Sequence, residues 1–540
     1  MTFDPGPAPS AQPFLSLLVP VYRTPPDFLL AMLDSVRAQT DPDWQLVLVD
    51  DGSDDPVLTA VLTAAAEDPR IVLDTRPGNA GIVATTAAAF ELARGEFIGF
   101  LDHDDLLAST AVQRVRAAVA ADPDIDVLYT DEDQLHPDGR YQAAFAKPDF
   151  SPERLRGQMY LGHLVAYRRS LIEQVGGIRA GYDGSQDYDL ALRATEQART
   201  VAHVPEVLYH WRIHPGSVSH GEGNEPVFAA ARRALADHLA RVGIDGTVEQ
   251  VHPVGVYRIR RRLRGTPLVS IIIPTRGSTG YVRGAQRSLV IHAVQSLIER
   301  TSYPDYEIVL MADADTPTAV LDRLTELAGS RLHVVGYHGR FNFSAKINRG
   351  VARASGDLLL LLNDDVEVLS PDWLEAMVAL AQAPDVGMVG AKLLYEDDTI
   401  QHLGHLYQGT DAAHLAAGAP ADWPGMQADL LVEREVSGVT AACALLRREV
   451  FEQVGGLSFQ LPINFNDVDL SMKITEAGYR ILITPHAVLY HFESKSRKRT
   501  VTESEVRVLR GRWDRRLVID PFWRYDPAAV AEQIGRYRAQ

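Results

Sequence analysis

The residues with the clearest chemical potential are acids that directly follow two short apolar runs, 97–101 and 358–362. An apolar run of this length after a glycine is typical of a buried strand in a parallel sheet. The polar residues that come next are Asp102, His103, Asp104 and Asp105 in the first case and Asn363, Asp364 and Asp365 in the second. Ligands of open α/β sheets bind where such strands end, and clustered carboxylates suit a hard divalent cation that holds a diphosphate. One such cluster could also be a solvated turn, but its recurrence favours the cation site.

A second pair of acids, Asp187 and Asp467, occurs just after residues that often cap helices, which are Ser185 and either Asn464 or Asn466. Each acid is therefore expected in the first turn of a helix. There it would either favour the helix dipole or act as a general base that takes a proton from an acceptor hydroxyl. The residues alone leave both interpretations open.

Two weaker signals accompany these acids. Asp51 and Asp313 follow the second predicted strand of each half, where a carboxylate could accept a hydrogen bond from a nucleobase, although acids are also common in turns. His210 and His491 each end a Leu-Tyr-His sequence. We interpret these two histidines as candidate ligands of a metal or a phosphate.

The elements that must position these residues alternate between apolar runs and stretches of helical periodicity. Residues 15–20, 45–49 and 71–73 predict strands that precede the central run 97–101, and residues 268–274 restart the same pattern. Strands that alternate with helices indicate βαβ units and a mostly parallel sheet. We therefore predict an α/β protein with two tandem Rossmann-like domains.

The second half repeats the first at an almost constant distance along the chain. Matched pairs are Gly95 and Gly356 at 261 positions, Asp104 and Asp365 at 261, Asp51 and Asp313 at 262, Gly176 and Gly455 at 279, Asp187 and Asp467 at 280, and His210 and His491 at 281. The distance steps once, by about the length of a loop, which we place around 401–426. This pattern indicates an internal duplication.

The repeat divides the chain into predicted segments. They are a disordered N-terminus at 1–14, a first domain at 15–222, a helical and basic connector at 223–266, a second domain at 267–500 and a C-terminal helical extension at 501–540. The single Cys443 excludes an intrachain disulfide and lies in an apolar run, which favours a buried, inert thiol.

The composition narrows the expected partners. The net charge of −18 over 540 residues argues against nucleic acid. Two basic segments, 256–264 and 495–516, would either touch an anionic membrane face or a phosphate-bearing acceptor, or pair with acids of the protein itself. The sequence shows neither a signal peptide nor an apolar run of about 18 residues. We expect a cytoplasmic protein, with peripheral association with the inner face of a membrane.

The ordered motifs of both halves resemble those of family 2 glycosyltransferases of the GT-A fold. In the first half these are Val-Pro-Val-Tyr at 19–22, Asp-Asp-Gly-Ser at 50–53, Asp-His-Asp-Asp at 102–105 and Gln-Asp-Tyr-Asp-Leu at 186–190. In the second half they are Ile-Pro-Thr-Arg at 273–276, Asn-Asp-Asp at 363–365 and Asn-Asp-Val-Asp-Leu at 466–470. Residues 129–133, 147–149 and 162–163 also resemble tandem enzymes of bacterial surface-polysaccharide assembly.

The resemblance implies roles for these residues in an inverting, metal-dependent enzyme with Mg²⁺ or Mn²⁺ as cofactor. The residues implied in donor binding are Pro20, Tyr22, Asp51, Asp102 and Asp104 in the first half and Pro274, Arg276, Asp313, Asn363 and Asp365 in the second. Asp187 and Asp467 would be the catalytic bases. The metal ligands would be Asp104 and Asp365, together with the candidate ligands His210 and His491.

The same resemblance implies nucleotide-sugar donors (UDP-, dTDP- or GDP-sugars) and a lipid-linked acceptor within a growing cell-surface glycan of the O-antigen, capsule or cell-wall type. Two departures stand out: Ala-Asp-Ala-Asp at 312–315, and Ala-Thr-Thr-Ala at 84–87 where the family often has an Arg-Asn pair. Neither removes an acid, so we expect two active domains. The alternatives are a processive two-site polymerase and one active domain beside a degenerate glycan-binding domain. A nucleotidyltransferase is disfavoured because no Gly-rich basic loop precedes a helix.

Overall fold

The computed structural model of this chain describes residues 12–214, 225–252, 255–409, 411–492 and 501–539. The chain divides into two compact units, Met1–Phe150 with Gln158–Tyr257, and Ser151–Gly157 with Arg258–Gln540. Residues 1–11 of the segment predicted to be disordered lie outside the described residues. Phe14, at the end of that segment, is ordered because its buried ring packs against Phe97 with 5.5 Å between ring centroids.

The first unit is built on a mixed sheet. Its strands are β1 (Leu15–Val21), β2 (Trp44–Asp50), β3 (Ile71–Thr75), β4 (Phe97–Phe100), β5 (Leu106–Leu107), β6 (Ile125–Leu135), β7 (Tyr141–Phe145), β8 (Val165–Arg168) and β9 (Thr200–Arg212). Their order is β3-β2-β1-β4-β8-β6-β9-β5, and β7 pairs with β6. The first four are parallel, while β8 is antiparallel to both of its neighbours.

Helices connect these strands in the βαβ manner that the apolar periodicity predicts. They are α1 (Pro26–Arg37), α2 (Pro56–Ala65), α3 (Ile82–Leu92), α4 (Ala111–Ala121), α5 (Pro152–Gly157, part of the second unit), α6 (Arg169–Gln174), α7 (Gln186–Gln197) and α8 (Glu225–Arg241). Strands β10 (Gly246–His252) and β11 (Val256–Arg261) follow. The predicted connector thus contains a helix and two strands, and the first unit extends through it to Tyr257.

The second unit is built in the same way. Its strands are β12 (Val269–Thr275), β13 (Thr279–Val282), β14 (Ala285–Ser288), β15 (Tyr306–Asp313), β16 (Leu332–Tyr337), β17 (Leu358–Leu362), β18 (Val366–Val368), β19 (Val386–Leu394), β20 (Ile400–His402), β21 (His405–Gln408), β22 (Asp411–His414), β23 (Arg434–Glu435), β24 (Cys443–Arg447) and β25 (Arg480–His491). Its helices are α9 (Leu289–Arg300), α10 (Thr318–Ala328), α11 (Phe343–Val351), α12 (Trp373–Ala381), α13 (Arg448–Gln453), α14 (Asn466–Glu476), α15 (Glu503–Trp513) and α16 (Pro527–Arg538).

The two sheets share one topology, strand for strand. The order β16-β15-β12-β17-β24-β19-β25-β18 repeats that of the first sheet, with the same pattern of parallel and antiparallel neighbours. Even the irregularities recur, since the register shifts between Thr130 and Asp131 and again between Ala391 and Lys392, 261 positions later. The predicted α/β fold class and the internal duplication are both confirmed.

Two glycines allow the central strand of each sheet to lie directly against the first strand. A Cβ on Gly356 would lie 2.3 Å from the Leu268 carbonyl oxygen and 2.9 Å from the Ser270 nitrogen, and a Cβ on Gly95 would lie 2.5 Å from the Ser16 nitrogen. The serine hydroxyls accept the glycine N–H groups at 2.8 Å in both units. Any larger residue would have to displace backbone, because these contacts are below van der Waals distance.

We expect Gly356→Ala to destabilise the second unit by about 2 kcal/mol or more, since the new methyl group meets backbone rather than a flexible side chain. The control is Gly511→Ala in α15, where a Cβ has no neighbour within 4 Å. Alanine there should be neutral or stabilising by up to about 1 kcal/mol. Urea unfolding of the full chain measures both, and equal midpoints for Gly356→Ala and the unmodified protein would contradict the expectation.

Candidate active site

A cavity of about 1000 Å³ lies at the carboxyl ends of β12, β15 and β17 in the second unit. Its lining contains every site residue predicted for this half of the sequence, namely Pro274, Arg276, Asp313, Asn363, Asp365, Asp467 and His491. The volume lies at the upper end of the range of small-molecule sites. The parallel strands therefore bring residues that are up to about 200 positions apart into one pocket.

Gln401 sets the protonation of the His491 ring at the acid cluster. Its amide nitrogen donates to the His491 carbonyl at 3.1 Å, so its oxygen accepts from His491 Nδ1 at 2.6 Å. Nε2 of the neutral ring then carries a lone pair, and it lies 3.1 Å from Asp365 Oδ1. The same lone pair accepts a hydrogen bond from Asn363 Nδ2 at 3.1 Å, so the imidazole, the amide and the carboxylate meet at one point of the cavity.

Asp364 adds a further carboxyl group to this cluster. Its Oδ2 accepts a hydrogen bond from the Thr275 hydroxyl at 2.6 Å. Burial and the neighbouring charge of Asp365 raise the pKa of Asp364 to about 7. A cation bound at this cluster would favour the ionised form of Asp364.

Lys346 also lines the cavity, but none of the sequence motifs identifies it. Its side chain is buried, and Nζ lies 2.9 Å from Asp313 Oδ1 and donates to the Thr275 carbonyl at 3.0 Å. It occupies the position of Thr85, 261 positions earlier, which falls within the 84–87 departure of the first half. The sequence signal for this residue is a lysine on the apolar face of α11. Because a lysine is rarely buried without a partner, this position predicts a nearby acid.

Asp467 lies in the first turn of α14, as predicted. Its Oδ1 accepts the Val468 N–H at 2.9 Å, and its Oδ2 lies 3.4 Å from the Ala441 nitrogen and 3.8 Å from His405 Nε2. His405 is a second residue that the motif search missed. These contacts hold the carboxylate at the cavity wall.

Ser185 is the N-cap residue of α7 as expected, whereas neither expected asparagine is the N-cap of α14. The N-cap of α14 is Phe465 in a left-handed conformation, because Asn464 instead donates to Glu505 at 2.9 Å. Ser185 is the N-cap residue of α7, but its hydroxyl donates to the Val227 carbonyl at 2.9 Å rather than capping the helix. Local propensity placed the helix starts correctly, while residues distant in the sequence decided the hydrogen bonds.

In the first unit, Asp102, His163 and Asp187 lie close enough to influence one another's charge. His163 Nε2 is 3.9 Å from Asp102 Oδ2. Asp187 is open to solvent, yet surrounding protein atoms desolvate it enough to raise its pKa; the charge of His163 opposes this shift and that of Asp102 adds to it. The structure thus brings together the first-half base candidate and one of the first-half acids.

A buried ion pair supports His163. The fully buried Lys147 lies 3.0 Å from Glu132 Oε2, and the same oxygen accepts the His163 N–H at 2.6 Å. Although burial opposes ionisation, Lys147 and His163 lower the pKa of Glu132 to about 2. Burial likewise opposes the charge on His163, but Glu132 and Asp102 raise its pKa to about 9.

The remaining donor-binding candidates of the first half lie at the ends of β1 and β2. Pro20 is within β1, and Tyr22 follows it with 37% of its surface exposed. The buried Asp51 accepts hydrogen bonds from the Ala80 and Gly81 N–H groups, both at 2.9 Å, at the start of α3. Its carboxylate is therefore engaged by the protein backbone, whereas the equivalent Asp313 faces a lysine.

His210 does not occupy the position that its sequence context predicts. β5 pairs with β9 in the register in which β18 pairs with β25. In this register the counterpart of His210 is Tyr490, and the counterpart of His491 is Trp211. The Leu-Tyr-His likeness is thus shifted by one residue, and a one-residue shift turns a side chain to the other face of a sheet.

The contacts of His210 follow from this register. Its Nδ1 lies 2.6 Å from Asp133 Oδ1. The histidine beside Asp104 is His214, whose Nε2 lies 2.8 Å from Asp104 Oδ2. His210 thus contacts Asp133 while His214 contacts Asp104, and a ligand role for His210 stays a prediction. Across the part of the chain that the structure describes, no three His, Cys, Asp or Glu side chains form a metal site by themselves.

Comparison with known families gives these sites a context. Residues 16–176 match the family described as "Glycosyl transferase family 2", and residues 267–514 match "Glycosyltransferase like family 2". The chain consists of two family 2 glycosyltransferase domains in tandem. The first match ends before Asp187, while the second includes Asp467 and all other predicted second-half site residues.

Curated relatives align with most of this chain. "Uncharacterized protein y4gI" of Sinorhizobium fredii is 40% identical over 537 residues, which cover 96% of this chain and 58% of that protein. "O-antigen biosynthesis protein RfbC" of Myxococcus xanthus is 38% identical over 496 residues, 91% of this chain and 38% of that protein. "Chondroitin synthase" of Pasteurella multocida is 27% identical over 208 residues, 38% of this chain and 21% of that protein.

The chain thus spans well under two thirds of the length of each of these relatives. Among the residues that the structure describes, no helix combines the length and the apolar character needed to cross a bilayer.

We expect Asp364→Asn to stabilise the second glycosyltransferase domain at pH 8 in the absence of metal. Between about pH 4 and pH 7 the folded protein keeps a proton that the unfolded chain, with the ordinary pKa of 3.8, has released, so the unmodified protein loses stability as pH rises through this window. Asparagine removes this loss and still accepts from Thr275. The expected gain in Tm is roughly 5 °C at pH 8 and near zero at about pH 4.

The control is Asp322→Asn on α10, where the side chain is exposed. It should leave Tm unchanged at both pH values. An Asp364→Asn protein that is no more stable than this control at pH 8 would contradict the electrostatic account of the cluster.

Proposed function

We propose that the chain is a bifunctional inverting glycosyltransferase. Each domain transfers a sugar from a nucleotide-diphosphate donor to a growing cell-surface glycan, with Asp187 and Asp467 as the respective bases. The observation that carries this proposal is the cavity of the second domain. Its lining includes Asp313, Asn363, Asp365 and Asp467. Nucleotide recognition, diphosphate neutralisation and proton removal are the three tasks that such a transfer requires.

A divalent cation fits the acid cluster of the second domain. His491 Nε2 lies 3.1 Å from Asp365 Oδ1 and 3.1 Å from Asn363 Nδ2, and Asp364 adds a carboxyl group whose ionisation burial suppresses. Asp365 and His491 would hold the ion, with Asn363 beside them, and donor phosphate oxygens would complete its ligands. When bound, Mg²⁺ or Mn²⁺ supplies positive charge for a diphosphate leaving group. In the first domain Asp102 and Asp104 would serve this role, with His214 in the place assigned to His210 by sequence.

The position of Asp467 supports a single displacement. Asp467 is held by the Val468 N–H on one oxygen and lies at the cavity surface with the other. It would take the proton of the acceptor hydroxyl as that oxygen attacks the anomeric carbon from the face opposite the diphosphate, which inverts the configuration. The raised pKa of Asp187 increases its basicity for the same task in the first domain.

The glycan context is proposed from the names of relatives. RfbC is an O-antigen biosynthesis protein, and another relative is a chondroitin synthase. UDP-, dTDP- or GDP-sugars would be the donors, and a lipid-linked glycan at the cytoplasmic face of the membrane would be the acceptor. Arg258 and Arg261 of the first basic segment pair with Asp372 and Glu433 at 3.2 and 2.9 Å, so they contribute little to membrane attraction. Residues 495–500 of the second basic segment lie outside the described residues.

We expect Asp187→Asn to reduce one sugar transfer by roughly a hundredfold or more while the other transfer persists, and Asp467→Asn to do the reverse. The reason is that each acid serves one domain. Chromatography and mass spectrometry of products from paired donor nucleotides and a short glycan acceptor distinguish the two transfers. Retention of both transfers by each variant would refute the assignment of the bases.

The same assay distinguishes the bifunctional enzyme from a processive polymerase, the alternative that the similarity to chondroitin synthase favours. A bifunctional enzyme that adds one residue per domain produces one or two additions. A processive polymerase that alternates between its sites produces a ladder, and either single variant should truncate that ladder after one sugar.

We expect excess EDTA to stop both transfers and Mn²⁺ or Mg²⁺ to restore them. Independently of activity, Mn²⁺ should tighten UDP binding in calorimetry to an Asp104→Asn protein, in which the first-domain cation site is impaired, and adding Asp365→Asn should weaken this gain about tenfold, because a charged ligand is lost. Asp322→Asn is the matched control. Full turnover in EDTA, or an identical Mn²⁺ effect in the Asp365→Asn protein, would contradict the cation site.

A further inference from the structure

The second domain carries a β-hairpin, β21–β22, that has no counterpart among the described residues of the first domain. It lies in the region where the separation between matched residues rises from 261 to 279 positions. His405 begins the hairpin and His414 ends it, and the two residues pair directly across it. Both line the cavity, together with Ala412 and Ala413. The hairpin thus adds polar groups to the wall on which Asp467 lies.

A hydrogen-bond chain fixes the protonation of one of these histidines. Nε2 of the buried His402 accepts the Thr440 N–H at 3.2 Å, so this ring carries its proton on Nδ1. That proton is donated to His414 Nδ1, which lies 2.8 Å away. His414 therefore carries its own proton on Nε2, which makes it a hydrogen-bond donor at the edge of the cavity.

His405 connects the hairpin to the proposed base. Its Nε2 lies 3.8 Å from Asp467 Oδ2, and its Nδ1 lies 3.2 Å from the Tyr407 hydroxyl. Its ring packs edge-on against those of His402 and His414, with centroids 5.4 and 5.8 Å away. An imidazole in this place limits the orientations that the Asp467 carboxylate can adopt.

The C-terminal part of the domain holds the hairpin in place. Asp520 accepts the Tyr407 N–H at 3.0 Å and the Ser437 hydroxyl at 2.9 Å. Tyr407 is buried in a cluster with Val468 of α14 and with Leu509 and Trp513 of α15. The hairpin and the helix that carries Asp467 therefore pack against the same apolar surface, which keeps the distance between His405 and Asp467 short.

We propose that the hairpin β21–β22 is the acceptor-binding wall of the second domain, where His414 recognises a sugar hydroxyl and His405 positions Asp467. The inference rests on the proposed role of Asp467 as the base. The acceptor hydroxyl must reach Asp467, and the hairpin places His405 beside it and His414 on the lining of the same cavity, whereas Asp313 and Lys346 lie with the strand ends that would bind the donor. Since the hairpin has no counterpart among the described residues of the first domain, the two domains would select acceptors with different walls.

Kinetics of the full chain in the Asp187→Asn background test this proposal. The acceptors are p-nitrophenyl glycosides of glucose, galactose, mannose, rhamnose and N-acetylglucosamine, with UDP-, dTDP- and GDP-sugars as donors. His414→Leu should raise the acceptor KM about five- to tenfold, as expected for a lost hydrogen bond, with the donor KM changed less than twofold. His414→Gln, which keeps a donor group, should recover at least half of this loss.

His405→Leu should lower kcat about tenfold with little change in either KM. His405→Gln, whose amide nitrogen can replace Nε2, should restore much of kcat, which a purely structural role would not predict. Donor hydrolysis without acceptor should be unchanged in His414→Leu, because water replaces the glycoside. The control is His333→Gln on the exposed edge strand β16, and melting temperatures identify any variant that is misfolded.

Two results would overturn the proposal: an acceptor KM for both His414 variants within twofold of the control, or a donor KM that rises in parallel with the acceptor KM. Failure of the underlying function is recognised separately, because it would appear as transfer that persists when Asp467→Asn is added to the Asp187→Asn protein. In that case the acceptor KM of His414→Leu still decides whether the hairpin contacts the acceptor.

Discussion

The close parallel pairing of the central strand with the first strand is the constraint on which both domains depend. β4 lies against β1 and β17 against β12 in the same register, with Gly95 and Gly356 at the point of closest approach. Because parallel strands end at one edge, this pairing places the acids that follow β4 and β17 on the same edge as Asp51 and Asp313, which lie at the ends of β2 and β15. The catalytic potential of the chain therefore arises from backbone packing in which no charged group takes part.

The two domains show how far polar groups can diverge on one backbone. Asp51 is satisfied by the backbone N–H groups at the start of α3, whereas Asp313 is paired with the buried Lys346. The proposed bases differ in the same way, since the charge of His163 opposes the raised pKa of Asp187, whereas His405 Nε2 lies 3.8 Å from Asp467 Oδ2. Close packing of the apolar core restricts strand order and register. A side chain in a pocket that contacts solvent can change more freely, provided that the neighbouring charged groups keep a polar or oppositely charged partner.

Buried carboxyl groups with raised pKa values occur where the proposed donor would bind. The carboxyl groups of Asp364 and Asp105 have pKa values raised to about 7 and about 8, in each case chiefly by burial and then by the charge of a neighbouring acid. The buried Glu132 differs from them because its cationic partners, Lys147 and His163, lower its pKa. A raised carboxyl pKa is typical of sites that receive a cation or a proton during function.

The sequence by itself determined the fold class, the duplication and the acids of the second cavity, because apolar runs that end in acids depend only on local pattern. It also placed Asp187 and Asp467 in first helical turns. Only the tertiary structure decided which histidine stands beside each acid cluster, since one residue of register separates His210 from the face that carries His491. It likewise decided the partners of Lys346 and His405, because burial and hydrogen bonding between distant segments leave no periodic signal in the chain.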